Sequence, residues 1–268
     1  MVVTTKRIEY KYGQEFNLKV INDVHIGNVA CDKKAFLAYL KDSDDNTYFI
    51  GIGDLFDAII VKDPRYQKSS DSSDDKDGKK RDDIVDVQVN RGEDILRPYR
   101  KRILGLGMGN HENAVVRYSG SNMIKRLCRR LGVDELGYSG LMKLVFSDKG
   151  SRGRTLIIRY HHGWGGGSRT QGADLTKFSK DMAYWDADLF LYGHVHKKQD
   201  DKIARLGLSG KKLIARDKVI SICGTFLRTY LDGTDATYGE IQGYSPTSIG
   251  GVNISIKPNN DWFDIKVQ

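Results

Sequence analysis

All six histidines of this sequence lie in short polar clusters that directly follow apolar runs. Aspartate or asparagine occupies three of the five clusters of this kind. Imidazole nitrogens with carboxylate and amide oxygens, and without thiolates, suit Mn, Fe, Zn, Ni or Co, whereas Mg or Ca sites carry more oxygen. Histidines that only filled a core or faced solvent would be scattered, so we interpret the clusters as a metal site. They are residues 22–25, 53–57, 109–112, 161–163 and 193–196.

The spacing within two of these clusters has a physical reason. Asp23 and His25 are two residues apart, as are His194 and His196. In an extended segment, residues i and i+2 point to the same side, so both members of a pair can reach one ion. Four histidines and two aspartates exceed the needs of one tetrahedral site and fit two neighbouring ions.

The apolar runs before the clusters predict buried strands, and helical patterns lie between them. Strands that alternate with helices indicate an α/β fold, in which ligands bind beyond the carboxyl ends of the strands. From residue 211 onward, short strand-like runs and turn residues predict a second, more antiparallel sheet. The predicted strands are residues 18–21, 48–52, 103–106, 156–158 and 188–192, and the predicted helices are residues 33–40, 121–131 and 175–185.

Composition limits the other properties of the chain. Its 268 residues predict a single domain with an insertion at about 64–83, because residues 68–83 are almost entirely Ser, Asp, Lys, Arg and Gly and cannot form a core. Three widely separated cysteines predict free thiols. No apolar run resembles a signal peptide or a membrane helix, so we expect a cytoplasmic protein that does not bind membranes.

The ordered motifs D-x-H, G-D-x-x-D, G-N-H-E, H-G and G-H-x-H span residues 23–196. This set resembles the calcineurin-like metallophosphoesterases. The resemblance implies a four-layer fold, with two packed mixed β-sheets flanked by helices. It also implies that Asp54 bridges two ions, that His111 is the catalytic acid and that Asp57 orients it. One ion would be held by Asp23, His25 and His196, and the other by Asn110, His162 and His194.

His161 is the ambiguous neighbour of a predicted ligand. The ligand of the family directly precedes glycine, which assigns His162 and leaves His161 as a flanking residue.

The resemblance implies a dinuclear phosphoesterase in which a metal-bridging hydroxide attacks phosphorus in line. We favour Mn as the metal, with Fe, Zn, Ni and Co as alternatives. We favour a phosphodiesterase, nuclease-like, that acts on nucleotides or nucleic acid, because the net charge is +8 and the pI about 9.2. A small-molecule phosphomonoesterase or pyrophosphatase is the alternative. A non-catalytic scaffold ranks last, because every motif residue is present.

No further region predicts an obligate protein partner, so a stand-alone enzyme of bacterial or phage type is expected. Arg169, in the glycine-rich residues 163–169, and Arg228 with Tyr230 are candidate substrate contacts. Tyr238 and Tyr244 follow in the same loop; such aromatics stack on bases or pack against the sheet. Basic runs at residues 97–102 and 125–130 either follow a phosphate backbone or form solvated surface.

Overall fold

The computed structural model describes residues 1–11, 13–59, 84–148, 153–233, 235–259 and 262–268. The predicted insertion at 64–83 lies outside these residues. The strands are β1 (Val2–Glu9), β2 (Phe16–Ile21), β3 (Thr47–Ile52), β4 (Ile103–Gly107), β5 (Glu135–Gly137), β6 (Ser139–Ser147), β7 (Arg154–His161), β8 (Leu189–Tyr192), β9 (Lys198–Ser209), β10 (Lys212–Thr225), β11 (Gly250–Gly251), β12 (Asn253–Pro258) and β13 (Phe263–Val267).

Six α-helices connect these strands within the described residues. They are α1 (Lys33–Lys41), α2 (Ile84–Leu96), α3 (Asn110–Ser119), α4 (Met123–Leu131), α5 (Ala173–Ser179) and α6 (Tyr238–Ile241), and single 3-10 segments follow α2 (Arg97–Arg102) and α5 (Lys180–Ala183). No helix in the described part of the chain is long and apolar enough to cross a membrane.

The strands form two mixed sheets. The first has the order β1-β6-β7-β8-β10-β11, with β9 paired to β10, and the second has the order β13-β12-β2-β3-β4-β5. Strands β2 to β5 are parallel to one another, and so are β7, β8 and β10. The carboxyl ends of each parallel set therefore meet at one edge of its sheet.

Three apolar clusters separate four layers. The central cluster joins the two sheets, with Leu18 and Ile50 from the second packed in one core with Met142 and Ile158 from the first. The other face of the second sheet packs on α1 to α4, and the other face of the first packs on α5. The predicted fold, two packed mixed sheets flanked by helices, is confirmed.

Helix α4 shows how local sequence sets one element. Its predicted start was a cap at Ser121, but the N-cap is Asn122, whose Oδ1 accepts a hydrogen bond from the Lys125 amide at 2.8 Å. Gly132 ends the helix in the left-handed conformation, as its position predicted. The apolar side chains share one buried face, and the basic ones are exposed or partly buried on the other.

The prediction that the last third forms a sheet of its own was wrong. Strand β10 extends the first sheet by pairing with β8, whereas β12 and β13 extend the second through β2. Antiparallel pairing is nevertheless common there, as expected. Apolar residues of β10 and of β12 enter the same central core, so local sequence does not choose between the two sheets.

Candidate metal centre

The five predicted clusters follow β2, β3, β4, β7 and β8, and the fold brings them together. Donor atoms of Asp23, His25 and His196 lie within 4.8 Å of one another, and so do those of Asp54, His162 and His194. These two groups have no residue in common, and each could hold an ion; His25 also belongs to a third such group, with Asp57 and His111.

Asn110 completes the second group. Its Oδ1 lies 2.9 Å from His162 Nε2 and 2.8 Å from His194 Nδ1. The structure thus places all seven residues predicted as ligands around two adjacent points.

Asp54 lies between the two groups. Its Oδ2 is 3.2 Å from His162 Nε2 and 3.9 Å from His25 Nε2, so the same carboxylate oxygen faces a histidine of each group. This is the position from which a carboxylate can bridge two ions.

Two features of the first group indicate that a cation fits there. Asp23 Oδ1 is buried and has no hydrogen-bond partner among the described residues. His25 Nε2 and His196 Nε2 lie 3.3 Å apart, which brings two nitrogens able to bind a metal to one place. A buried acceptor without a partner is costly, and a cation coordinated by these atoms would remove that cost.

The backbone of the ligands departs from the extended form that the sequence predicted. Asp23, His25, Asp54, His194 and His196 all have positive φ, between 45° and 73°. Among the described residues, Ala58 is the only other non-glycine with positive φ. Such conformations cost about 1–3 kcal/mol each and persist where surrounding contacts enforce them, so strain is concentrated at the ligands.

Glu112 makes several of the contacts that hold the strained backbone of these ligands, and sequence analysis missed its role. Its buried carboxylate accepts hydrogen bonds from the amides of Asp54 at 3.1 Å, Phe56 at 2.9 Å and Gly109 at 2.8 Å. It therefore joins the cluster after β3 to the cluster after β4. The last position of the G-N-H-E motif was the only signal for this role.

Two glycines of the motifs are required by close approach. A Cβ at Gly109 would lie 2.0 Å from Asp54 Oδ1, and one at Gly193 would lie 2.0 Å from Asn22 Oδ1. Asn22 in turn donates to Asp23 Oδ2 at 2.7 Å. Any side chain at either glycine would displace a predicted ligand or its support.

His111 stands beside the two groups. Its Nδ1 lies 2.5 Å from the backbone carbonyl oxygen of Asp57 and 3.9 Å from Asp57 Oδ1. The carboxylate of Asp57 is closer to His25 Nδ1, at 3.4 Å, and accepts from Asn28 at 3.0 Å. Asp57 thus holds His111 through its main chain and contacts a predicted ligand through its side chain.

His161 points away from the predicted ions. Its Nδ1 accepts the Gly163 amide at 2.8 Å, and its ring packs against Trp164. Burial, with the charge of Arg159, lowers the pKa of His161 to about 4. A neutral side chain that accepts a local backbone hydrogen bond agrees with its assignment as a flanking residue.

The four histidines of the two groups differ in their pKa values. Burial lowers the pKa of His162 and of His25, but Asp54 outweighs it and raises the pKa of His162 to about 9, and Asp57 outweighs it and raises that of His25. Burial and the charge of His162 lower the pKa of His194 to about 4, and burial and the charge of His25 lower the pKa of His196 well below its usual value. Both are therefore neutral at neutral pH, which is the form that binds metals. Burial raises the pKa of Asp54, but His162 and His111 outweigh it and hold that pKa well below its usual value.

A cleft of about 390 Å³ opens above the predicted ligands. One wall is the glycine-rich loop, residues 165–169, and the other includes residues 235–239 and 244–247. Arg169 and Arg228 line the cleft, although Arg228 also forms an ion pair with Asp32. Tyr230 is outside the lining, and its hydroxyl donates to the Tyr244 carbonyl at 2.9 Å, so its position gives no support for a substrate contact.

No family model and no curated protein matches this chain. Several solved structures are similar to it. A Vps29 single mutant from Entamoeba histolytica is 12% identical, with coverage of 94% of this chain and 98% of that one and a TM-score of 0.41. A metallophosphoesterase from Sphaerobacter thermophilus is 13% identical, with coverage of 94% and 88% and a TM-score of 0.38.

The NAD nucleotidase NadN of Haemophilus influenzae is 11% identical over 96% of this chain, which spans 50% of that protein, and the TM-score is 0.42. Similarity this low carries no information about activity, so function has to follow from the residues of this chain.

Proposed function

We propose that this protein is a metal-dependent phosphoesterase of the calcineurin-like type with a dinuclear centre. The observation that carries the proposal is the pair of donor groups that share Asp54, with His111 beside them. Two ions in such a centre clamp phosphoryl oxygens and lower the pKa of water, which supplies a nucleophile at neutral pH. We favour Mn²⁺ for both positions because the donors combine imidazole with carboxylate and amide oxygen.

His111 supplies the proton for the leaving oxygen in this proposal. The Asp57 carbonyl only accepts, so His111 Nδ1 carries a hydrogen, and Nε2 is the nitrogen that would act on the substrate. A protonated Nε2 can donate to the leaving oxygen, and the hydrogen bond at Nδ1 fixes the orientation of the ring.

We favour a phosphodiester of a nucleotide or nucleic acid as substrate, bound in the cleft. The basic helix face of α4 gives this preference little support. Arg126 pairs with Asp86, and Arg130 pairs with Glu93 at 3.1 Å, so acidic groups of α2 neutralise part of it. The cationic side chains of the cleft remain as the support for a phosphate ester.

An activity panel tests the proposal. The protein supplemented with Mn²⁺ is assayed on bis-(p-nitrophenyl) phosphate, p-nitrophenyl phosphate, cyclic nucleotides, and single- and double-stranded DNA and RNA. We expect diester cleavage that a chelator abolishes and Mn²⁺ restores. Turnover of monoesters alone would replace the phosphodiesterase hypothesis by that of a phosphomonoesterase. No turnover with any of the five candidate metals would leave a non-catalytic scaffold as the remaining hypothesis.

A further inference from the structure

Two tyrosines form an open aromatic surface at the cleft. Tyr238 and Tyr244 both line it, and their side chains are 40% and 51% exposed. Their ring centroids are 6.2 Å apart, with an angle of 77° between the planes. Two large rings that meet at nearly a right angle are thus partly exposed at the cleft that contains the predicted metal centre.

The backbone holds this surface in place. The amide of Tyr244 donates to the Gly239 carbonyl at 2.8 Å, and Thr229 Oγ1 donates to the Ser245 carbonyl at 3.0 Å. Further along, Thr247 Oγ1 donates to the Leu227 carbonyl at 2.9 Å. Rings on a segment that is held by hydrogen bonds lose little conformational entropy when they bind a ligand. This favours a role in ligand binding over simple packing at the surface.

A cation from the opposite wall reaches the same place. A Cβ at Gly243 would lie 3.4 Å from Arg169 Nη2, so the guanidinium group approaches the residue next to Tyr244. Among the described residues, Arg169 has no carboxylate partner, whereas the neighbouring Lys177 and Lys197 are both paired with Asp174. Arg169 is therefore available for an anion at the aromatic surface.

We infer that Tyr238, Tyr244 and Arg169 form a nucleotide subsite, in which one tyrosine ring stacks on a nucleobase, the other contacts the edge of that base, and Arg169 pairs with the phosphate. Every base has a π-face, and aromatic stacking contributes to binding without sequence preference. Guanidinium is the side chain best suited to bind phosphate oxygens. This inference rests on the proposed function, because it names the chemistry of the ester that the metal centre would cleave.

The test compares two substrates that differ only in the base. One is a dinucleotide phosphodiester with adenine on both residues, and the other is the same compound with both bases removed. Equilibrium binding and Mn²⁺-supported cleavage are measured for each. We expect the dinucleotide to bind roughly tenfold more tightly than the abasic compound, within the range of stacking contributions.

Variants assign the effect to individual side chains. Tyr238→Leu and Tyr244→Leu should each reduce the preference for the base several-fold. Tyr184→Leu is the matched control, since Tyr184 is 81% exposed and lies outside the cleft. Arg169→Gln should weaken binding of both compounds alike, because it contacts the phosphate that they share.

The outcomes separate this inference from the proposed function. Equal binding of the two compounds, or an unchanged preference in both tyrosine variants, would overturn the subsite even in an active enzyme. Cleavage of neither compound would count against the proposed function, while their binding would still decide on the subsite.

A longer single-stranded oligonucleotide that binds more tightly than the dinucleotide would identify a nucleic-acid strand as the source of the nucleotide, and equal binding would identify a small nucleotide.

Discussion

The floor of the cleft and its walls differ in burial and in the contacts that hold them in place. The floor, made of the seven predicted ligands, is largely buried, and five of its residues have positive φ. The walls, residues 165–169 and 235–247, contain glycines and several exposed side chains. The apolar cores that pack against the two sheets therefore hold the floor in place, whereas a few hydrogen bonds hold the walls. A centre that attacks one kind of bond can thus keep its geometry while the walls determine what is bound.

The contrast is clearest at two acidic residues. Glu112 supports the floor by accepting three backbone amides from two clusters. Asp174 supports the glycine-rich wall, where its carboxylate accepts the Ser168 amide and pairs with Lys177 at 3.1 Å and Lys197 at 2.8 Å. Loss of the first should disturb the ligands, and loss of the second should disturb substrate binding and the stability of the wall but leave the ligands in place.

Asp54→Ala should have the largest effect. The floor would lose the one carboxylate that faces both donor groups, so we expect both ions to be lost. Activity should fall by roughly three orders of magnitude or more, since metal ions contribute several kcal/mol to catalysis. Elemental analysis and kcat/KM measure the two effects. Asp200→Ala, at an exposed position of β9, is the control, and retention of two ions per chain by the Asp54 variant would contradict the bridging role.

His111→Ala should have the second largest effect. The side chain is beside the donor groups without belonging to the predicted ligands, so both ions should remain. Turnover should fall about 10²- to 10⁴-fold, the usual contribution of a general acid. Metal content by elemental analysis, compared with kcat, provides the measurement. If one ion disappears together with the side chain, His111 is a ligand and the floor extends further than proposed.

Asp174→Asn should affect the wall alone. The loop that carries Arg169 would lose its charged anchor, so we expect KM to rise roughly tenfold while kcat and metal content change little. The free energy of unfolding should fall by about 1–3 kcal/mol at neutral pH, because hydrogen bonds to a charged group are lost. A decrease in kcat equal to the increase in KM would show that wall and floor are not independent.

The same variant gives a pH dependence with a defined sign. Burial raises the pKa of Asp174, but Lys197 and Lys177 outweigh it and hold that pKa below its usual value of about 4. A carboxyl with a lowered pKa stabilises the fold fully above the usual value, and this contribution is lost as the pH falls through the lowered pKa. The Tm of the wild type and of Asp174→Asn should therefore converge below about pH 4. A constant difference across that range would exclude ionisation of Asp174 as the cause.

Prediction from sequence succeeded where the information was local. The strands before Asn22, Gly53 and Gly193 were found because each is a short apolar run that ends in polar residues. Prediction from sequence failed to assign β10 and β12 to their sheets, because the sheet that a strand joins depends on which strand it meets in the folded chain. Glu112 was overlooked for a related reason, since its three partners come from two segments that only the folded chain brings together.

The sequence by itself determined the candidate donor atoms of the proposed centre and their order along the chain. Residue types fix which ions can bind, and apolar runs place each cluster at the end of a strand. Only the tertiary structure decided how those donors are grouped and held. The left-handed backbone at Asp23, His25 and Asp54 is not a local preference of aspartate or histidine in a strand. Hydrogen bonds between segments distant in sequence, from the Asp54 amide to Glu112 and from the His25 amide to the Asp54 carbonyl, enforce it, and such bonds form only when the clusters after neighbouring strands come together.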